Sequence, residues 1–145
     1  MPGYSGTPLP QKLGIKPGHS VVLLQAPDHF SLEALPEGAR IATSARAKTP
    51  FDVILLFADQ RAALARAFAT LAKRLTPAGG LWICWPKKAS GVSTDLTENV
   101  IRDIGLAAGL VDNKVCAVDE TWSGLRFVRR LKDRAGAGQQ SKDEG

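Results

Sequence analysis

The residues that could do chemistry are concentrated in two polar segments, and each segment directly follows an apolar run. The predicted ligand-binding residues are Lys87, Lys88, Ser90, Gly91, Asp95, Asp119, Glu120, Trp122 and Ser123. Lysines bring positive charge, serines bring hydroxyls, carboxylates accept hydrogen bonds or protons, and an indole ring offers a stacking surface. This combination predicts a site for a small anionic or nucleotide-like ligand.

The same residues also allow a purely structural interpretation. Lys87 and Lys88 could pair with Asp119 and Glu120 as a clasp, an exposed contact worth about 0 to 1 kcal/mol. Asp95 could instead cap the following helix through a box with Glu98. The sequence contains no Gly-x-Ser-x-Gly elbow and no phosphate-binding Walker pattern. Its two histidines have no nearby nucleophile in the sequence, so the catalytic residues are unknown.

The two segments must be positioned by elements that alternate along the chain. Apolar or largely apolar segments predict strands at 21–24, 40–43, 52–57, 81–85, 114–118 and 125–131, of which 40–43 is the weaker and 52–57 is a continuous run typical of burial on both faces. Helical spacing of apolar residues predicts helices from the cap Asp59 to Leu75 and from 96 to 108, with a short helix at 28–35. This alternation predicts an α/β fold that is three-layered and Rossmann-like, with a mostly parallel sheet and a C-terminal antiparallel hairpin.

Such a sheet would bring the two polar segments together. If the strand at 114–118 is parallel to the strand at 81–85, both strands end at the same edge. Ligands of open α/β sheets bind just outside the carboxyl ends of the strands. We expect an N-terminal arm at 1–18, in which residues 4–7 could cover this edge or simply pack, and a single domain at 19–134. Residues 135–145 have the composition of a disordered tail.

Composition limits the classes of protein that fit. The 145 residues are 44% hydrophobic and 23% charged, which is typical of one globular domain. No apolar run approaches the roughly 18 residues that cross a bilayer, and the N-terminus lacks signal-peptide features, so we expect a cytoplasmic protein with no membrane partner. Cys84 and Cys116 are predicted to be buried free thiols. Together with His19 and His29 they form no zinc spacing, so no metal is expected.

The formal net charge of +5 admits phosphate-bearing or nucleic-acid partners. Much of the excess lies near the C-terminus, at Arg126, Arg129, Arg130, Lys132 and Arg134. Charge in such a position is more often a solvated edge than a binding stripe, and exposed aromatic residues interleaved with the arginines are not expected. Nucleic-acid binding is therefore the least favoured function.

The order of elements over residues 13–130 resembles the core of class I S-adenosylmethionine methyltransferases. Two glycine-containing segments match that core best. They are Leu13-Gly14-Ile15-Lys16-Pro17-Gly18 and Leu75-Thr76-Pro77-Ala78-Gly79-Gly80. The resemblance implies a Rossmann-like fold. Gln25-Ala26-Pro27-Asp28, however, occupies the place of that family's glycine-rich turn, and Thr43-Ser44 the place of its acidic residue. Asp28 and Asp59 could partly substitute, but these departures predict that S-adenosylmethionine does not bind in the usual mode.

A second resemblance extends nearly from end to end and concerns a family of small bacterial proteins catalogued as a domain of unknown function. Its motifs are similar to Gly3-Tyr4-Ser5-Gly6-Thr7-Pro8-Leu9, Trp85-Pro86-Lys87-Lys88-Ala89-Ser90-Gly91, Thr94-Asp95-Leu96-Thr97-Glu98 and Cys116-Ala117-Val118-Asp119-Glu120-Thr121-Trp122-Ser123-Gly124. This resemblance implies a Rossmann-like fold and carries no activity or cofactor with it.

The sequence thus favours a non-catalytic α/β module that binds a small anionic or nucleotide-like ligand, or a protein partner, at the carboxyl edge of its sheet. The alternative is a degenerate methyltransferase-like transferase that acts on a phosphorylated or nucleotide substrate. In that case Lys87 or Lys88 would stabilise negative charge and Asp119 or Glu120 would act as a base.

Overall fold

The apolar runs of the sequence form six strands and the amphipathic segments form helices. The computed structural model describes residues 7–46 and 49–134. The strands are β1 (Ser20–Leu24), β2 (Arg40–Ala42), β3 (Phe51–Phe57), β4 (Leu75–Pro86), β5 (Leu110–Ala117) and β6 (Trp122–Arg129). The helices are α1 (Leu9–Lys12), α2 (Arg61–Ala72) and α3 (Glu98–Ala107).

The six strands form one sheet in the order β2-β1-β3-β4-β6-β5. Strands β1 to β4 pair in parallel, whereas β6 is antiparallel to both of its neighbours, β4 and β5. Strand β5 therefore runs in the same direction as β4, and the ends of both strands lie at one edge. The predicted α/β Rossmann-like class with antiparallel C-terminal strands is confirmed. The insertion of β6 between β4 and β5 was not predicted.

The two faces of the sheet are covered differently. On one face α2 and α3 bury a core that includes Leu64, Phe68, Ile101 and Phe127. The other face is covered by α1, by Leu13, which is fully buried, and by the irregular segment between β1 and β2. The indole N–H of Trp82 donates a hydrogen bond to the Leu13 carbonyl at 2.9 Å. This bond anchors the described part of the N-terminal arm to the middle of the sheet.

Two predicted helices differ from the structure. The short helix at 28–35 is absent from the described residues: Ala34 has a φ of 61°, which breaks a helix, and Phe30, Leu32 and Leu35 pack on the sheet instead. The helix predicted to reach Leu75 ends at Ala72. Leu75 begins β4 because it pairs with Phe51, and the strand continues through the glycine pair to Pro86.

Gly109 ends the second long helix, since it has a φ of 94° directly after the helix C-cap. The predicted disordered tail at 135–145 and residues 4–6 of the arm lie outside the described residues. Within 7–46 and 49–134, no helix is long and apolar enough to cross a membrane.

Candidate functional site

The loop after β4 carries the predicted lysines on a well-defined backbone. The Lys87 amide donates a hydrogen bond to the Thr121 carbonyl at 2.7 Å, which ties the end of β4 to the β5–β6 turn. A single 3₁₀ turn at Lys88–Ser90 follows, and the Ser90 hydroxyl donates to the Lys87 carbonyl at 2.6 Å. Gly91 ends the turn with a φ of 77°, a conformation that favours glycine. Ser90 and Gly91 therefore shape the loop.

Asp119 holds the β5–β6 turn. One of its carboxylate oxygens accepts hydrogen bonds from the amides of Thr121 and Trp122, both at 2.8 Å. A carboxylate engaged in this way fixes a turn and is less available to act as a base. The neighbouring Glu120 side chain is exposed.

Asp95 caps a helix, but not the one predicted. Its carboxylate accepts a hydrogen bond from the Arg61 amide at 2.7 Å, at the start of α2. Helix α3 is capped by Thr97, whose hydroxyl accepts from the Val100 amide at 3.2 Å. The predicted Asp95–Glu98 capping box is thus wrong, because Thr97 is the residue directly before α3 and its hydroxyl reaches the Val100 amide.

Asp59 is not the cap of α2, which begins after Gln60 with no side-chain cap bond of its own. The Asp59 carbonyl instead accepts a hydrogen bond from the Thr94 hydroxyl at 2.7 Å. The loops after β3 and β4 are thereby joined by Thr94 and Asp95, and the Asp59 carboxylate is left exposed at the edge.

Two adjoining cavities lie beside the loop after β4: the larger is lined by this loop, the end of β4 and the start of α3, and the smaller lies between this loop and the one after β3. One, of about 490 Å³, is lined by residues that include Trp85, Lys88 and Gly91. The other, of about 390 Å³, is lined by residues that include Asp59 and Asp95. Thr94 lines both cavities. The structure therefore places Lys88 and Asp95 in neighbouring cavities and not in one.

The clasp between the lysines and the acidic turn is not formed. Among the described residues, the ion pairs are those of Arg102 with Glu98 and with Asp112. Lys88 is exposed, and its charge faces the larger cavity without a carboxylate partner in the described part of the chain. A positive charge of this kind is available to an anionic group.

Trp122 lies on the opposite face from the lysine cavity. Its ring meets Phe57 edge to face with centroids 5.1 Å apart, and Phe57 meets Phe30 in the same manner at 4.9 Å. Ser123 pairs with Trp85 and alternates with Trp122, so it belongs to the helical face. The ring of Trp122 thus closes the core under the segment after β1 and does not stack over the lysines.

A further group of residues at this edge lies outside the predicted ligand-binding set and entered the sequence analysis only through the methyltransferase resemblance. Gln25, Asp28, Thr43, Ser44 and Asp59 are exposed and lie in the segments that follow the neighbouring strands β1, β2 and β3. Gln25 has a φ of 59°, so the chain makes a left-handed turn at the end of β1 without glycine. The position of each residue at a strand end was the signal that could have identified the group.

The two cysteines are free and flank Gly124 in the sheet register. Burial raises the pKa of the fully buried Cys84 thiol well above its usual range, and the charges of Cys116 and Asp119 add to this. Burial also raises the pKa of Cys116. Both thiols are therefore poor nucleophiles. Across 7–46 and 49–134, no three His, Cys, Asp or Glu side chains are grouped so as to hold a metal ion.

The fold is similar to that of several solved methyltransferases. An S-adenosylmethionine-dependent methyltransferase from Aquifex aeolicus aligns with a TM-score of 0.57 and 14% identity over 81% of this chain and 85% of its own. The magnesium protoporphyrin IX methyltransferase of Synechocystis PCC 6803, with bound S-adenosylmethionine, aligns with a TM-score of 0.55 and 10% identity over 84% and 74%. The fibrillarin pre-rRNA processing protein of Methanococcus jannaschii aligns with a TM-score of 0.55 and 13% identity over 79% of this chain and 68% of its own.

These neighbours define a methyltransferase-like fold at low sequence identity. They also correct the prediction on the cofactor. The fold is shared with proteins that use or contain S-adenosylmethionine, so the prediction that this cofactor does not bind, which rested on the missing glycine turn, was wrong. Gln25 supplies the physical reason, since it adopts the left-handed conformation for which glycine was thought necessary. No protein-family model and no curated protein matches the chain, so the resemblance to the bacterial domain family has no independent support.

Proposed function

We propose that this protein is a methyltransferase-like module that binds a nucleotide-like ligand of the S-adenosylmethionine class across the carboxyl ends of β1, β2 and β3. The observation that carries the proposal is the left-handed turn at Gln25, with a φ of 59°, between two parallel neighbours in the sheet. Such a turn lets a ligand approach the backbone just outside the strand ends, where open α/β sheets bind nucleosides.

The side chains at this edge have the chemistry that the ligand needs. Asp28 and Asp59 are exposed carboxylates that can accept hydrogen bonds from ribose hydroxyls or from an ammonium group. The Thr43 hydroxyl can both donate and accept a hydrogen bond. The Ser44 hydroxyl already accepts from the Arg46 amide at 3.3 Å, which orders the end of β2. S-adenosylmethionine, when bound, supplies a methyl group activated by a sulfonium; the residues named here would hold and orient it.

Calorimetric titration with S-adenosylmethionine and S-adenosylhomocysteine tests this proposal. We expect micromolar binding, and a ligand at 100 times its dissociation constant should add about 2.7 kcal/mol to the free energy of unfolding. Asp28→Asn and Asp59→Asn should each weaken binding about tenfold, since each removes a charge-assisted hydrogen bond. Asp103→Asn, an exposed position on α3 away from the edge, is the matched control. Absence of binding at millimolar ligand would refute the proposal.

A second candidate function is recognition of a phosphorylated ligand in the cavity of about 490 Å³ that Lys88 lines. It is favoured by the exposed ammonium of Lys88, which pairs with no carboxylate among the described residues. Replacement of Lys87 and Lys88 by Met should leave stability unchanged or slightly raised while abolishing any thermal shift caused by ADP. A clearly destabilised double variant with no ADP response to lose would exclude this function.

A further inference from the structure

A separate cavity of about 120 Å³ lies at the other end of the sheet, at the amino ends of the parallel strands. Its wall includes Lys16 and His19 before β1, Asp52 on β3, and Arg126 on the antiparallel strand β6. Because β6 is antiparallel to β4, its C-terminal half, with Arg126, lies towards the amino ends of the parallel strands. The ligand site proposed above lies at their carboxyl ends. The cavity is therefore independent of that function.

Arg126 is the unusual group in this cavity. Its Nε atom is buried and has no hydrogen-bond partner among the described residues. Its Nη1 atom makes one long hydrogen bond, 3.4 Å, to the Asn113 side chain. Burial lowers the pKa of the Arg126 guanidinium, and the charge of Arg134 lowers it further. A buried donor without a partner costs free energy, and a charged one costs more.

The backbone beside Arg126 leaves room for its guanidinium. A Cβ atom placed on Gly80 would lie 2.8 Å from both Cζ and Nη2 of Arg126. A Cβ atom on Gly14, whose φ is 82°, would lie 3.9 Å from Nη2. Any side chain at position 80 would therefore displace the charged group from its place over the sheet.

The other wall residues supply donors. The Lys16 amide donates to Nδ1 of His19 at 3.1 Å, which leaves the proton of the neutral imidazole on Nε2 as a donor. Asp52 accepts from the Ser20 amide at 2.8 Å and from the Thr76 hydroxyl at 3.2 Å, so both of its oxygens are already used. The cavity wall thus carries two positive charges, Lys16 and Arg126, and one negative charge, Asp52, so its net charge is positive.

We propose that this cavity, which we call the amino-edge cavity, binds a small tetrahedral oxyanion: inorganic phosphate or the terminal phosphate of a phosphomonoester. The Arg126 guanidinium and the ammonium of Lys16 are its charged donors, and Nε2 of His19 is a third donor. The cavity volume of about 120 Å³ is small, which suits an ion of this size.

Thermal unfolding and calorimetric titration with sodium phosphate, at constant ionic strength adjusted with sodium chloride, test the proposal. We expect phosphate to raise the melting temperature of the wild type with a saturable dependence. Arg126→Met should lose this saturable response while the ligand-free protein is at least as stable as wild type, since a partly buried cation whose Nε lacks a partner is removed. Arg130→Met, an exposed position directly after β6, is the matched control and should respond like the wild type.

Two further variants keep the test decisive if Arg126→Met fails to fold. Lys16→Met changes an exposed side chain and should weaken phosphate binding about tenfold. Gly80→Ala should abolish binding because its Cβ displaces the guanidinium. Glycerol phosphate, added in place of inorganic phosphate, distinguishes the two sources: tighter binding indicates a phosphomonoester, and weaker binding indicates free phosphate.

Phosphate stabilises many proteins non-specifically by exclusion from their surface. A rise in melting temperature that is equal in wild type, Arg126→Met and Lys16→Met would therefore overturn the proposal, as would no response in the wild type. Arg126→Met that is strongly destabilised, with phosphate binding intact in that variant and in Lys16→Met, would assign Arg126 a structural role only.

Discussion

The carboxylate of Asp95 accepts the amide of Arg61 at 2.7 Å, although the two residues are 34 positions apart in the chain. Asp95 lies in the loop after β4, and Arg61 is the first residue of α2. The loop after one strand thus caps the helix that follows the neighbouring strand. This contact fixes the relative position of the loops after β3 and β4, which line the cavity of about 390 Å³.

Removal of this inter-loop cap should destabilise the fold. Asp95→Ala is expected to lower the free energy of unfolding by about 1 kcal/mol, the usual cost of a lost N-cap. Asp95→Asn retains an acceptor oxygen and should lose less. Urea denaturation followed by circular dichroism measures both values. An Asp95→Ala variant as stable as wild type would show that the bond contributes nothing.

Arg129 should prove to be a structural residue and not part of a nucleic-acid stripe. Its guanidinium donates to the carbonyls of Ala72, Leu75 and Thr76 at 3.0, 3.1 and 2.8 Å, which satisfies the end of α2 and the start of β4. Arg129→Met should cost about 2 kcal/mol in denaturant unfolding, because the carbonyls lose a charged donor.

The exposed Arg130→Met is the comparison for this prediction and should change stability little. Equal stability of the two variants would contradict the structural role. Loss of affinity for single-stranded DNA in Arg129→Met, without loss of stability, would restore the nucleic-acid interpretation of the final strand.

Gly105 is predicted to tolerate no side chain. A Cβ atom there would collide with the ring of Phe127, which is fully buried and meets Phe68 edge to face at 5.1 Å. Gly105→Ala should therefore lower the free energy of unfolding by about 1 to 3 kcal/mol, despite the better helix propensity of alanine. Adding Phe127→Leu should recover part of the loss in a double-mutant cycle. Full additivity would show that the two sites do not interact.

Stability should fall in alkaline solution because of the buried thiols. The pKa of Cys84 is raised in the folded protein, so the thiol stays protonated while the unfolded chain ionises from about pH 8.5. The stabilisation is complete below that pH and is lost as the pH rises towards the folded pKa. Denaturant melts between pH 7 and pH 10 should show a decline that is shallower in Cys84→Ala. An identical slope in both proteins would contradict the prediction.

The sequence by itself determined the fold class and the edge at which to look for a site. Continuous apolar runs such as 52–57 and helical spacing such as Leu64, Phe68 and Leu71 depend only on local burial, which periodicity records directly. Parallel strands joined by helices then place polar strand ends at one edge, whatever the details of packing.

The tertiary structure decided how each polar side chain is used. Asp95 caps a distant helix, Asp119 holds a turn, Trp122 closes the core against Phe57, and Gln25 makes a turn for which glycine was expected. Likewise, β6 pairs between β4 and β5, which brings Arg126 to the amino edge and Arg129 to the end of α2. These outcomes depend on hydrogen bonds between residues tens of positions apart. Local residue patterns carry no record of such partners, so only the packed chain could assign them.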